Sequence, residues 1–425
     1  MAAVRSLVDL HIHLGRSRNG QWIKIPAGAD LTFENVLRES GERKGLSMVA
    51  IVDCHAPEVI EEIEELLADG RLTELAQGGF RYCDQVTVIP ASEVEAVESA
   101  GALHAIAYLP TLETTKAFSR WLAGRVSNIN LSTQRARLSG SELAGFVDLV
   151  EGFLIPAHIF TPYKSLYGSC ASSIWEVFSV DQRPIIPAVE LGLSADTEMA
   201  DSIPELRCFS FVSNSDAHSL AKIGREYNEM LMLEQSFAGL LAALTAGTGT
   251  GTGTGTGIRV GTDSPADSVP DGHPPALTGN FGLDPRLGKY YRTCCRHCGW
   301  LAEGRKAVMG EECPKCGSGK VIRGVRDRVA HLAGGWQSES PPFRPTYTRQ
   351  VPLQFMPGIG PKTLSRLLAH FGSEMTILHK TPETQLVDVV GSRLTRLIME
   401  ARAGALPIQP GGGGKYGKVL AHGPA

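Results

Sequence analysis

Over the first 235 residues, apolar positions fall into short blocks separated by mixed stretches. "SMVAIVDC" (47–54), "QVTVIPASEVE" (85–95), "ALHAIAYLP" (102–110) and "CFSFVSNSDAH" (208–218) each read as a strand, the last running into a turn. "EVIEEIEELLADG" (58–70) repeats its apolar residues at helical spacing, carries acids in its first turn and ends on Gly70, so a helix is expected there. Such alternation predicts a parallel α/β sheet or barrel.

The pattern then breaks. "AGTGTGTGTGTGIRVGT" (246–262) and the Pro/Gly/Asp-rich stretch after it have no apolar periodicity and are expected to form a flexible linker. Residues 286–330 are Cys-rich, 346–404 read as helical, and "GGGGKYGK" (411–418) follows. A chain of 425 residues exceeds what one core serves. The division expected is a barrel at 1–240, a linker at 241–285, a Cys-rich module at 286–335 and a helical region with a Gly-rich tail at 345–425.

Composition sharpens this outline. Apolar residues make up 43% and charged residues 20%, a globular balance, and no apolar run of about 18 residues would span a membrane. The start lacks the apolar core of a signal peptide, so a cytoplasmic protein without membrane contact is expected. Residues 1–284 carry 20 Lys/Arg against 36 Asp/Glu, and residues 285–425 carry 21 against 9. That asymmetry suggests a catalytic body joined to an anion-binding tail. Of nine cysteines, five lie within residues 294–316, which fits one metal cluster better than a disulfide framework.

The chemistry begins at "DLHIHL" (9–14). Residues two apart on a strand share a face, so His11 and His13 aim at one point. His55, His104, His158 and His218 also fall at strand ends or turns, interleaved with Asp53, Glu93 and Asp216. In α/β folds the site lies at the carboxyl ends of the strands. A lone histidine is more often structural than ligating, but six with three carboxylates point to a metal site. The donor mix suits Zn, Mn or Fe better than Ca, and it exceeds one four-coordinate ion. Two or three ions bridged by a carboxylate are expected, a type of site used in phosphoryl chemistry.

Taken in order, "DLHIH", "IVDCH", "SEVE", "LHAIAY", "PAHIFTP" and "SNSDAHS" resemble the PHP (polymerase and histidinol phosphatase) metallo-phosphoesterases. More narrowly, "PAHIFTPYKSLYGS", "LGLSAD" and "SNSDAHS" resemble the endonuclease Q family, and the resemblance covers nearly the whole chain. It implies a distorted (β/α)7 barrel, a small zinc module held by four cysteines, a C-terminal helix-hairpin-helix region and cutting of DNA 5′ of uracil, hypoxanthine, xanthine or abasic sites. It places His11, His13, Glu93, His104, His158, Asp216 and His218 among the ligands of two or three divalent ions (Zn, Mn or Mg). Glu93 would bridge and Asp216 would hold an ion at the scissile phosphate, which makes these two the catalytic candidates. The second motif departs from the adjacent Asp-His of many relatives, so either Asp53 or His55, or both, would ligate. No third histidine follows between Leu14 and Asn19, which puts a third ion in question. Ser194 and Asn214 match positions of a pocket for an extruded base, and Asn214 equally suits a turn cap. Phe160 and Tyr163 either stack on bases or fill the core. Implied partners are double-stranded DNA with a damaged base and other repair proteins.

Cys295, Cys298, Cys313 and Cys316, in two Cys-x2-Cys pairs, form the pattern of a closed structural zinc site. Cys294 and His297 offer poorer registers. Arg296, Lys315 and the surrounding Arg292, Arg305, Lys306, Lys320, Arg323, Arg326 and Arg328 suggest phosphate contacts, although zinc ribbons also bind proteins. "LQFMPGIGPKTLSRLLAHFG" (353–372) reads helix, turn, helix. Gly358 and Gly360 would let backbone approach a phosphate, the next helix start would present free N–H groups, and Lys362 would add charge. "VDVVGSRLTRLIMEARAG" (387–404) looks like a degenerate second copy around Gly391. Two other readings remain: a phosphoesterase for small phosphate esters, which leaves the basic tail unexplained, and a non-catalytic repair scaffold.

Overall fold

Strand β1 (Val4–Ile12) is buried from Val8 onward and sits at the middle of a ten-stranded sheet. The computed structural model describes residues 3–248, 273–303 and 310–420. Next to β1 come β2 (Met48–Ile51), β3 (Leu72–Glu74), β4 (Phe80–Tyr82), β5 (Val86–Val97) and β6 (Ala102–Tyr108). The strands β7 (Phe153–Pro156), β8 (Ala188–Glu190), β9 (Ser210–Val212), β10 (Tyr227–Met232) and β11 (Ala276–Leu283) follow. β1 pairs parallel with β2, and β2 parallel with β5. β5 changes partner at Pro90, which has no N–H to donate. Its first half lies beside β2 and β4, and its second half pairs antiparallel with β6. β6 continues antiparallel to β7. The Ile159 N–H donates to the Glu190 carbonyl (2.9 Å) and ties the exit of β7 to β8, which runs parallel to β9. A bridge between Ile12 and Ala217 returns the chain to β1.

Seven strands (β1, β2, β5, β6, β7, β8, β9) thus ring the ends where the histidines lie. The distorted barrel is present, but β5, β6 and β7 are antiparallel neighbours, so its strands do not alternate regularly with helices. The helix Pro57–Ala68 matches its expected position. Proline opens it, where a missing N–H costs nothing, and Val59, Ile60, Ile63 and Leu66 bury one face.

Three expectations need correction. The 241–285 segment is not linker throughout. The helix Phe237–Thr245 reaches into it, and β11 is an integral strand paired antiparallel with β10. In "ALTGNFGL" small residues alternate with Leu277 and Phe281, a pattern the surrounding glycines obscured; most of the Thr-Gly run lies outside the described residues. The span 346–404 does not begin helical either. Thr346–Gln350 pairs parallel with β11, because Thr and Tyr fit a pleated edge better than a helix. In the hairpin, a single 3-10 turn (Leu353–Phe355) stands where the first helix was expected, with Pro352 and Pro357 leaving no room for a longer one.

The helix Pro361–Phe371 starts at Gly360, and Gly358 has φ +93°. The span Glu383–Arg402 is two helices joined at Gly391 (φ +76°), so the second turn exists in the backbone. This region docks on the barrel through the buried pair Lys44–Glu374 (2.7 Å) and through His379, which sits against Tyr227 and Phe281. Among the described residues no helix is long and apolar enough to cross a membrane.

Candidate metal centre

His11 is the second-last residue of β1 and His13 follows the strand; both are fully buried. Their Nε2 atoms lie 3.2 Å apart, while each Nδ1 is turned away and held. Glu190 lies 3.0 Å from His11 Nδ1, and Asp53 lies 3.1 Å from His13 Nδ1. Each ring therefore presents one lone pair to the shared point. Glu93, on β5, faces both ways. Its Oε1 is 3.0 Å from His104 Nδ1, 3.4 Å from His158 Nε2 and 3.5 Å from His11 Nε2. Its Oε2 is 3.3 Å from His13 Nε2. Asp216 Oδ1 lies 3.6 Å from both His11 and His13 Nε2, with His218 beside it.

Three donor triads result: His11, His13 and Glu93; Glu93, His104 and His158; His13, Asp216 and His218. Both ring nitrogens of His104 are buried without an aligned hydrogen bond, although Glu93 Oε1 lies 3.0 Å from Nδ1 and Glu95 Oε2 3.8 Å from Nε2. A buried ring nitrogen without an aligned partner is costly unless something takes its lone pair, and imidazole with carboxylate suits a divalent transition metal. The donor set fits divalent metal binding.

Backbone strain gathers at the same place. Thr133, His158, Lys164 and Asp216 all line the cavity of about 410 Å³ over the cluster, and all have positive φ without being glycine. That conformation costs of order 1–3 kcal/mol per residue, which the packing must offset. Gly192, at φ +75°, lets the chain pass His158; a Cβ there would come within 2.8 Å of the His158 Cβ.

Charge follows geometry. Burial opposes a charged His11, but Glu190, Asp216 and Glu93 outweigh it and push the ring up to about 10, so an ion binding at Nε2 would displace the ring's second proton. Burial also opposes ionisation of Asp216, yet His11, His218 and His13 hold it well below the carboxylate range. His218 is pushed down to about 4, first by burial.

The second motif separates into two roles. Asp53 backs His13 and accepts the Leu14 N–H (2.7 Å), so it faces a ligand rather than the cluster. His55 is spent on Ser92 Oγ (2.8 Å), stays near the Leu131 carbonyl, and joins no triad. Glu190 was not foreseen; its signal is a lone carboxylate ending the apolar strand Ala188–Glu190 just before Gly192. Lys24 was also missed, and its Nζ lies 2.9 Å from His13 Nε2.

A narrower recess of about 180 Å³ opens beside the cluster, sharing His158 and Asp216 with the cavity over it and reaching Glu190 behind His11. Its other wall holds Ser194, Lys289 and the rings of Tyr163, Tyr290 and Tyr416. Lys289 Nζ lies 5.0 Å from the Tyr290 centroid and 5.9 Å from that of Tyr416. Tyr416 arrives from the Gly-rich tail, which is ordered against residues 286–294. Gly411, Gly414 and Gly417 donate to the carbonyls of Arg286, Lys289 and Leu287. Asn214 is not on the wall. Its Oδ1 accepts from the Leu10 N–H and from Asn228. Phe160 is core against Tyr167, whereas Tyr163 is exposed.

Between β12 (Cys294–Cys295) and β13 (Val321–Ile322) the four cysteines converge. Sulfur separations are 3.8 Å for Cys295–Cys316 and 3.7 Å for Cys298–Cys313. Tetrahedral zinc with Zn–S of about 2.3 Å requires S–S of roughly 3.8 Å, so the cluster fits one ion. Cys294 and His297 stand outside it. Arg296 and Lys315 are exposed on the knuckles. Three other basic side chains serve the fold instead. Arg292 holds the Pro410 and Gly411 carbonyls, Arg328 those of Tyr167 and Ala171, and Arg326 pairs with Asp327. Arg305 and Lys306 lie outside the described residues.

The family model described as PHP-associated matches residues 197–248. The uncharacterized protein YqxK of Bacillus subtilis is 43% identical over 97% of this chain and 98% of its own. The uncharacterized protein MJ0043 of Methanocaldococcus jannaschii is 36% identical over 61% of this chain and 31% of its own length. Among solved structures, the lesion-specific endonuclease PfuEndoQ of Pyrococcus furiosus superposes with a TM-score of 0.77 at 30% identity, covering 98% of this chain and 95% of that one. An endonuclease Q in complex with a 27-mer duplex bearing an abasic lesion at its active site superposes at 0.75 with 29% identity, over 98% and 97% of the two chains.

Proposed function

The chain belongs to the endonuclease Q family, and from this membership we propose that it is a metal-dependent DNA repair endonuclease. It would hydrolyse the phosphodiester 5′ of a deaminated base or abasic site, leaving a 3′-hydroxyl and a 5′-phosphate. The observation that supports this reading is the shared wall: His158 and Asp216 line both the cavity over the metal cluster and the tyrosine-lined recess. A nucleotide whose base entered that recess would bring its flanking phosphate to the cluster.

His11, His13, Glu93, His104, His158, Asp216 and His218 would hold the ions. Divalent ions there supply charge that activates water and neutralises the phosphodiester. Glu190 and Asp53 fix the tautomers of His11 and His13. Tyr163, Tyr290 and Tyr416 offer π faces on which a base can stack, and Ser194 offers a hydroxyl to its edge. A damaged pair is weaker than a sound one, so extruding its base costs less, which favours lesions before any contact is read. Arg296, Lys315, Lys362 and the helix start at Gly360 would hold the duplex by its phosphates.

The test is a nicking assay on end-labelled duplexes carrying uracil, hypoxanthine, an abasic site or no lesion, with Mg²⁺ or Mn²⁺. A single cut 5′ of the lesion, absent with Asp216→Asn, is the expected outcome. No cut on any duplex while binding persists would overturn the reading in favour of a scaffold or a small-ester phosphatase.

A further inference from the structure

The donor set limits the number of ions, and the limit gives a role to a residue outside the triads. His13 belongs to two of the three triads. Its Nδ1 is occupied by Asp53, so only Nε2 can bind an ion, and one lone pair serves one ion. The His11–His13–Glu93 and His13–Asp216–His218 triads are therefore alternatives. The Glu93–His104–His158 triad shares only Glu93 with the first, and that carboxylate has two oxygens facing different ways. Among the described residues, two ions can each have three protein donors at once; a third cannot.

A positive charge already stands at the deficit. Lys24 Nζ is 2.9 Å from His13 Nε2, 3.1 Å from Thr133 Oγ1 and 3.5 Å from Glu93 Oε2. Thr133 Oγ1 in turn donates to Glu93 Oε2 (2.7 Å). These contacts use the three donors of an ammonium on the cluster side. The chain is folded to deliver it. The Gly15 carbonyl accepts from both the Ile23 and Lys24 N–H groups, closing a loop that brings Lys24 back over His13. A Cβ at Gly15 would collide with the Gly28 carbonyl at 1.8 Å, so the loop needs glycine there. Arg16, the nearer cation in sequence, is stacked on Trp22 (4.0 Å). Thr133, held at φ +49°, lies beside Lys24 and lines the same cavity.

We propose that Lys24 replaces a third metal ion: it contributes a fixed positive charge beside a two-ion centre and binds a non-bridging oxygen of the scissile phosphodiester. The inference rests on the proposed phosphodiester hydrolysis. When an ion takes the His13 lone pair, the ammonium loses that partner. Thr133 keeps it at the cavity mouth, where a compact point charge suits a phosphate oxygen.

The test uses full-length protein as wild type, Lys24→Met and Lys24→Arg. Metal content after loading with Zn²⁺ or Mn²⁺ and desalting should be three ions per chain, two at the barrel and one at the cysteines, and should stay three in Lys24→Met. Single-turnover cutting should fall about 10²–10³-fold in Lys24→Met, recover to within about tenfold of wild type in Lys24→Arg, and leave duplex affinity within about twofold. Hydrolysis of bis(4-nitrophenyl) phosphate is measured in parallel and should show the same order of rates. Four ions in wild type, loss of barrel ions in Lys24→Met, or an undiminished rate in Lys24→Met would each overturn the proposal. A wild type that hydrolyses the diester but nicks no duplex would sink the lesion reading and leave the Lys24 comparison decisive. If it hydrolyses neither, the phosphate contact falls with the hydrolytic reading, and the ion count still tests the two-ion limit.

Discussion

Asp53 and Glu190 never face the cluster, yet each decides what a ligand can do. A histidine has two tautomers, and only a held Nδ1–H leaves Nε2 free for metal. Asp53→Asn and Glu190→Gln each lose the acceptor charge while keeping the shape. Both are expected to weaken barrel metal affinity about 10–100-fold, read by isothermal titration, with the zinc at Cys295, Cys298, Cys313 and Cys316 retained. Unchanged affinity would show that the rings are oriented without them. His55 serves as the contrast. Its bonds to Ser92 and the Leu131 carbonyl make it a packed, neutral residue that burial pushes below its ordinary pKa.

Among the elements, the helical region is held to the barrel by Lys44–Glu374, Met375 and His379, and the last of these titrates. His379, wedged against Tyr227 and Phe281, is pushed down to about 4 by burial and by the cations Arg402 and Lys380. From pH 6.5 down to 4 the unfolded or undocked chain binds a proton that the docked chain refuses. The stability this group contributes is thus complete above pH 6.5 and lost as pH falls through that window. Hydrogen exchange of Glu374–Arg402 should accelerate, relative to the strand Tyr227–Met232, as pH drops from 7 to 5 after correction for intrinsic rates. His379→Phe should flatten that difference; a difference that persists would place the pH sensitivity elsewhere. The nearby Lys44–Glu374 pair is buried on both sides, so losing one partner alone would cost about 3–5 kcal/mol.

Across the whole molecule, the acidic body and basic tail turn out to be stitched together. The tail beyond residue 410 returns to the segment after β11 and places Tyr416 at the recess. The exposed cations at Arg296, Lys315 and Lys362 remain available to a polyanion. Duplex affinity should therefore fall linearly on a log–log plot against salt, and Lys362→Glu should reduce the slope by about one while weakening lesion and undamaged duplexes alike. Fluorescence anisotropy over a salt series measures both; a loss confined to lesion duplexes would contradict a backbone contact.

Much of this protein was readable in order along the chain. Two histidines at i and i+2, carboxylates at strand ends, paired Cys-x2-Cys units and a Gly-Ile-Gly-Pro-Lys turn act through local geometry, so spacing alone exposes them. The Pro57–Ala68 helix was legible for the same reason, since its period and its caps agree. Other features depended on distant chain segments. β11 and the strand Thr346–Gln350 exist because an open sheet edge supplied hydrogen-bond partners, overriding weak local preference. Glu190, Lys24 and Tyr416 reach the site only through folding: one by strand order, one by a loop closing on Gly15, one by a tail crossing the Cys-rich module. Sequence spacing determined which residues could ligate; burial and partner geometry decided that Asp53 would support a ligand, that His55 would pack, and that His13 would have a single lone pair to offer.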